Sequence, residues 1–167
     1  MSRTDHTSWT DYEKRLRGKP LLFLPVGAHE QHGPHLSLDT DAYHAEHLCR
    51  EVAAACTPPR PLVLPLISYG VSYHHDEFPG TISISPGTLS QLTVDVGMSI
   101  ARQGITKLII VNGHGGNAPA LHFAAQMINR DAHIFTCKNV DRRAECLAKT
   151  VYASAYAVQS RHSVGQH

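Results

Sequence analysis

Two short, unbroken apolar runs, LLFLPVGA at 21–28 and KLIIVN at 107–112, constrain the fold more than any other feature of the chain. Neither alternates apolar with polar residues as a strand wetted on one face would, so each reads as a strand covered on both sides. The first ends in glycine and empties into a histidine-rich loop; the second, the clearest strand in the chain, runs into the glycine-rich turn GHGGN. Helical segments lie between and after them. Asp39 and Thr40 can cap a helix from about Asp41 to Cys56, with Ala45, Leu48, Val52 and Ala55 along one face, which stops before Pro58-Pro59. Ser85-Pro86 places an N-cap before a proline at the first helical position, and Leu89, Leu92, Val96 and Ile100 would anchor that helix until Gly104 ends it. A further helix is expected around 118–130. LVLPLI at 62–67 reads as a second strand, whose Pro65 predicts an edge position or a bulge. FPGT at 78–81 is a turn into TISI, and HIFTC at 133–137 another strand. Strand and helix therefore alternate, which predicts an α/β fold: three layers, α/β/α, around a mostly parallel central sheet, with ligands gathering at the carboxyl ends of its strands.

Composition narrows the function classes. A chain of 167 residues, 42% hydrophobic and 17% charged, has the apolar material for one packed domain. Fifteen basic residues against fourteen acidic ones leave no basic excess, so nucleic acid is not an expected partner. No run approaches the ~20 apolar residues of a membrane span, and the N-terminus has no apolar core of signal-peptide type, so the expectation is a cytoplasmic protein without membrane attachment. Cys49, Cys56, Cys137 and Cys146 form no CxxC pair, which fits reduced, packed thiols and not a zinc ribbon or a disulfide framework. Thirteen histidines raise the expectation of a metal or acid–base site without locating it.

Position has to locate it. In GAHEQHGPHLSLDTD, residues 27–41, Glu30 and His32 point the same way if the segment is extended, because side chains alternate at period two. Asp41, returning from the first turn of the next helix, could complete a carboxylate–imidazole–carboxylate set suited to zinc, manganese or iron. Glu30 and His32 alone could instead belong to a solvated loop, the commoner outcome for such a spacing. In NGHGGN, residues 112–117, His114 sits at a strand's carboxyl end and could be the ligand that arrives from elsewhere in the sequence. It could also donate a hydrogen bond within a tight turn, or the glycines could cradle an anion, although a phosphate loop would want a nearby lysine, serine or threonine. His44 and His47, three apart on a helix, read as exposed, and His29, His35, His122 and His133 take the same default.

GAHEQHGPHLSLDTD, then YGVSYHHDEFPGT at 69–81, then NGHGGN resemble, in order and separation, the three successive motifs of the creatininase (creatinine amidohydrolase) family. The resemblance covers about residues 20–138 and implies a single creatininase-like domain over 1–167, truncated at its C-terminus. It implies two divalent metals (Zn, Mn or Fe) per site, with Glu30 and His114 on one, His32 on the other and Asp41 bridging. Ser72 and His75 would line the substrate side, and Gly115 and Gly116 would leave room for substrate or metal. The implied reaction is hydrolysis of a C–N amide bond, in a small and perhaps cyclic or formyl amide, by a metal-activated water. Creatinine is one substrate among several, since relatives include deformylases and a peptidase acting on a redox-cofactor precursor. The implied assembly is a homo-oligomer, a hexamer.

One departure bears on the metals. The creatininase that names the family carries a carboxylate ligand for the second metal two residues after the histidine, where this chain has Gly116. Many members with NGHGGN take a glutamate from a later HAGE motif instead, and this chain ends VGQH where HAGE would begin. His167 is then expected to be that motif's first residue, in a catalytic, proton-handling role, with the glutamate lost. The stretch 138–161 is expected to pack as a helix, which could also close the site. The alternative to hydrolysis is a catalytically inactive metal- or ligand-binding subunit of the same fold, and a third reading is a nucleotide-binding domain built on NGHGGN.

Overall fold

The computed structural model describes residues 3–139. Its elements are α1 (Trp9–Leu16), β1 (Leu22–Val26), α2 (Thr40–Ala55), β2 (Leu62–Val63), α3 (Pro86–Arg102), β3 (Lys107–Asn112), α4 (Ala118–Ala132) and β4 (Phe135–Asn139), with single 3₁₀ turns at Tyr73–His75 and Gly115–Asn117. The strands form one parallel sheet in the order β2-β1-β3-β4. KLIIVN forms β3 over the expected residues, and β1 is buried at every position.

Side chains alternate across the sheet and divide the core in two. Leu22, Leu24, Val26, Leu108 and Ile110 meet Leu89 and Ile100 of α3 and Leu121 and Ile128 of α4. Phe23, Ile109 and Val111 meet Cys49, Val52 and Ala53 of α2 on the other face. Each fully buried Leu, Ile or Phe is worth about 1.5–3 kcal/mol, so burial on both faces holds the three layers together.

β2 takes the edge that Pro65 predicts, but its ladder stops at Val63, and Ile67 returns only for a single bridge to Val26. Pro25 is tolerated in the central β1 because its carbonyl, and with it the missing N–H, faces this interrupted side, where it accepts from the Ile67 N–H at 3.0 Å. TISI likewise makes only isolated bridges, Ile82 to His29 and Ser83 to Gly70. β4 begins at Phe135, two residues into HIFTC, because His133 closes α4 in the left-handed conformation at φ +53°.

Two helix faces differ from expectation. In α2, Cys49 and Ala53 are buried beside Ala45 and Val52, whereas Leu48 is half-buried and Ala55 exposed. In α3, Leu92 is 42% exposed, while Thr93 and Gly97 are buried. The reason is close helix packing: a Cβ on Gly97 would stand 2.4 Å from Ile128 Cδ1, so small residues mark the line along which α3 meets α4. Thr93 satisfies its buried hydroxyl by donating to the Leu89 carbonyl at 2.8 Å.

Ser85 caps α3, its hydroxyl accepting the Thr88 N–H at 3.0 Å. Ser85→Ala is expected to lower stability by about 1 kcal/mol. The check is a urea titration, in which the midpoint should fall at unchanged slope; an unmoved midpoint would deny the cap its role.

From β1 the chain passes through α2 to β2 on one side and later crosses to β3 on the other. The crevice at the carboxyl ends of β1 and β3 is therefore the topological switch point, where open α/β sheets bind ligands. No helix among the described residues is long and apolar enough to cross a membrane.

Candidate metal centre

Three segments converge on that crevice. The loop after β1 carries Glu30 and His32 and is folded by the Glu30 N–H, which donates to the Leu38 carbonyl at 2.9 Å. The first turn of α2 carries Asp41, and the end of β3 carries His114. Two glycines let α2 sit down on the strand ends. A Cβ at Gly27 would lie 2.3 Å from Ala42 Cα, and one at Gly113 would lie 2.3 Å from the Asp41 carbonyl oxygen. Both approaches require glycine.

Asp41 stands between two imidazoles. Its Oδ2 is 2.8 Å from His114 Nδ1, and its Oδ1 is 3.2 Å from His32 Nε2. Glu30 Oε1 lies 3.4 Å from the same His114 nitrogen. Glu30, Asp41 and His114 are each no more than 6% exposed, and His32 is half-buried. Glu30 Oε2 is buried with no hydrogen-bond partner. Burial opposes ionisation of Asp41, but hydrogen bonds and charge from His114 and His32 outweigh it and hold the carboxyl below the usual carboxylate range. Burial also opposes charge on His114, yet Asp41, the Val71 carbonyl and Glu30 prevail and raise its pKa. Positive charge is thus favoured between the carboxylates and Nδ1, a place that a metal cation could take by displacing the proton.

The NGHGGN loop holds His114 in register. The Val71 carbonyl lies 3.0 Å from His114 Nε2, so an Nε2–H donor leaves Nδ1 to face the carboxylates. Asn112 Nδ2 donates to the His114 carbonyl at 2.7 Å, and Asn117 ties the Val71 N–H (2.8 Å) to the Gly27 carbonyl (2.8 Å). Asn112 therefore braces the loop from within and Asn117 joins all three motifs through buried hydrogen bonds, roles sequence reasoning missed although the two asparagines frame the loop. Gly116 packs tightly: a Cβ there would meet the Val71 carbonyl oxygen at 2.2 Å and His114 Nε2 at 2.6 Å. Its missing side chain makes way for this packing, whereas Gly115 has open space.

The structure brings Glu30, His32, Asp41 and His114 together. Ser72 follows Val71 in the second motif, fully buried, its hydroxyl without a partner. His75 is half-buried, with Gln31 Nε2 3.1 Å from its Nδ1 and Phe78 edge-on at 5.7 Å. His44 and His47 are exposed on α2, as read. His167 and the stretch 140–161 lie outside the described residues. His74 was missed; its Nε2 stands 3.7 Å from Glu30 Oε2, and its ring lies parallel to His114. Two overlapping groups, Glu30–His74–His114 and Glu30–His32–Asp41, each bring three donor atoms within 4.8 Å of one another. A cleft of about 680 Å³ at the amino ends of the strands, lined by Pro20, Arg60 and Leu62, includes none of these donors, so donor chemistry and not cavity size marks the site.

This arrangement defines a class: a parallel α/β domain with a carboxylate–imidazole cluster at the switch point. A model of the creatininase family, described as creatinine amidohydrolase, matches residues 5–167. The chain is 40% identical over 128 residues to the mycofactocin precursor peptide peptidase of Mycolicibacterium smegmatis, covering 73% of this chain and 51% of that protein. It is 35% identical over 117 residues to the creatinine amidohydrolase of Pseudomonas putida, covering 66% and 44%. A mutant creatininase structure of Zn–Zn type superposes with a TM-score of 0.76 at 29% identity, over 83% of this chain and 57% of that one. The chain belongs to the creatininase family. It spans about half the length of the curated relatives it matches.

Proposed function

We propose that this protein is a metal-dependent amidohydrolase that cleaves a C–N amide bond in a small molecule. The observation that carries the reading is Glu30 Oε2, a buried carboxylate oxygen without a hydrogen-bond partner, set among further imidazole and carboxylate donors at the switch point. A buried polar atom left without a hydrogen bond is costly, and a cation is the partner that fits a mixed oxygen and nitrogen donor set. The relatives add support: a peptidase and a creatinine amidohydrolase both break amide bonds.

In this reading Glu30 and His114 hold one ion, His32 the other, and Asp41 serves both, one oxygen turned to each imidazole. Bound divalent ions supply a water of lowered pKa and polarise the carbonyl it attacks. Val71, held by Asn117, keeps His114 in the tautomer that ligates. His75 faces the substrate side, Ser72 backs that side from its fully buried position, Gly115 leaves space beside it, and His167 handles a proton.

The test is elemental analysis and turnover of the purified protein with zinc or manganese, using N-formyl amides, lactams and short peptides. Stoichiometric metal and hydrolysis of one of these amide classes are expected, both lost in Glu30→Ala. Turnover that survives in Glu30→Ala, or a protein that never takes up metal, would refute the reading.

A further inference from the structure

We propose that His74 is a metal ligand and that, with Glu30 and His114, it builds the tighter of two unequal metal positions; this rests on the metal reading above. The two oxygens of Glu30 are divided: Oε1 faces His114 Nδ1 at 3.4 Å and Oε2 faces His74 Nε2 at 3.7 Å. The second distance is too long for a hydrogen bond, which is why Oε2 is buried without one. A zinc ion with ligands about 2.0–2.2 Å away separates its tetrahedral donors by roughly 3.3–3.6 Å. The three donors, all within 4.8 Å of one another, need only a small movement to meet one ion.

His74 is free to make that movement. Its side chain is 53% exposed, and no hydrogen bond to another described residue holds its ring. The ring lies parallel to that of His114, 5° between planes and 5.5 Å between centroids, so both imidazoles approach Glu30 from one stack.

The inequality follows from the donor inventory. The His74 position draws on two imidazoles and the Glu30 carboxylate, with Asp41 Oδ2 beside it at 2.8 Å from His114 Nδ1. Among the described residues the other position has one imidazole, His32, and two carboxylates, Asp41 and the shared Glu30. The glycine loop gives it no further carboxylate, because a side chain at Gly116 would run into the Val71 carbonyl at 2.2 Å. Two imidazoles also turn the His74 position towards zinc and away from manganese.

The experiment titrates metal-free protein with zinc against a chromophoric chelator and with cobalt(II), followed by its visible absorption. Wild type, His74→Ala, His74→Phe, His74→Glu and His32→Ala are compared. Two-step binding is expected in wild type. His74→Ala and His74→Phe should weaken the first step at least roughly a hundredfold, the upper end of the effect of groups that merely orient ligands. His74→Phe keeps a ring against His114 and so separates ligation from stacking. His74→Glu should retain tight binding while moving the zinc-to-manganese preference towards manganese, a shift that a structural role would not produce. His32→Ala should weaken only the second step. Wild-type affinity in His74→Phe, or loss of the first step in His32→Ala alone, would overturn the assignment while leaving the metal reading intact. A wild-type protein that binds no metal would overturn both.

Discussion

Asp41→Ala is expected to abolish metal binding at the His32 position, to weaken it at the His74 position and to lower amide hydrolysis by a factor on the order of 10³ or more, the scale of losing preorganised charge stabilisation at a reacting centre. No other side chain in the site touches both His32 and His114, at 3.2 and 2.8 Å among the described residues. Removing it leaves Glu30 as the one carboxylate beside His32, His74 and His114 in the described site. The fold should survive. Asp41 sits in the first turn of α2, where its charge adds about 0.3–1 kcal/mol through the helix dipole, and its loss removes no core side chain. Elemental analysis, circular dichroism and turnover on one preparation would therefore separate. Metal should fall to one equivalent or below while the far-ultraviolet spectrum is unchanged. Asp41→Asn is the sharper control, since it keeps the shape and one acceptor but not the charge, and it should bind metal as poorly as alanine. Full metal content in Asp41→Asn would mean that the carboxylate bridges nothing.

Much of this arrangement is legible in the sequence, and the reason is local. KLIIVN gave β3 to the residue because a covered strand cannot afford a polar side chain until its end, and Lys107 and Asn112 mark both limits. Ser85-Pro86 located α3 because a side-chain acceptor and a missing N–H are both intrinsic to those residues. Glu30, His32, Asp41 and His114 were recoverable from residue type and motif order. What escaped depends on distance through space. Leu92 has the right period for the core and yet lies 42% exposed, because Gly97 lets Ile128 of α4 fill the place the pattern assigned to larger side chains. His74 and His75 are adjacent in sequence with the same chemistry, and only the 3₁₀ turn at Tyr73–His75 decides which faces Glu30 and which meets Gln31. Asn117 looks like a turn residue in the sequence; its hydrogen bond to the Gly27 carbonyl appears only once β1 and β3 lie side by side.

The same contrast makes Gly113 the most informative backbone position. Gly113→Ala would place a methyl group 2.3 Å from the Asp41 carbonyl oxygen and 3.2 Å from Ala45 Cβ. The first neighbour is helix backbone, so no rotamer change relieves the clash. Either β3 bends away or α2 lifts, by on the order of 1 Å to restore ordinary van der Waals contact. Overpacking of this kind costs about 1–3 kcal/mol, and the upper part of that range is expected here because the obstacle is main chain. Lifting α2 also carries Asp41 away from His114 and His32, so metal affinity should fall along with stability. Gly115→Ala, two residues on, supplies the internal standard, because its Cβ meets nothing within 4 Å and its stability change should stay below about 1 kcal/mol. Urea unfolding of both metal-free variants, followed by zinc titration of each, would read the two effects separately. A Gly113→Ala protein as stable as Gly115→Ala would show that α2 is not seated on the end of β3. Equal stability loss with undiminished zinc binding would show instead that the site adapts to the helix, and that Asp41 reaches its ligand position without the close approach that Gly113 permits.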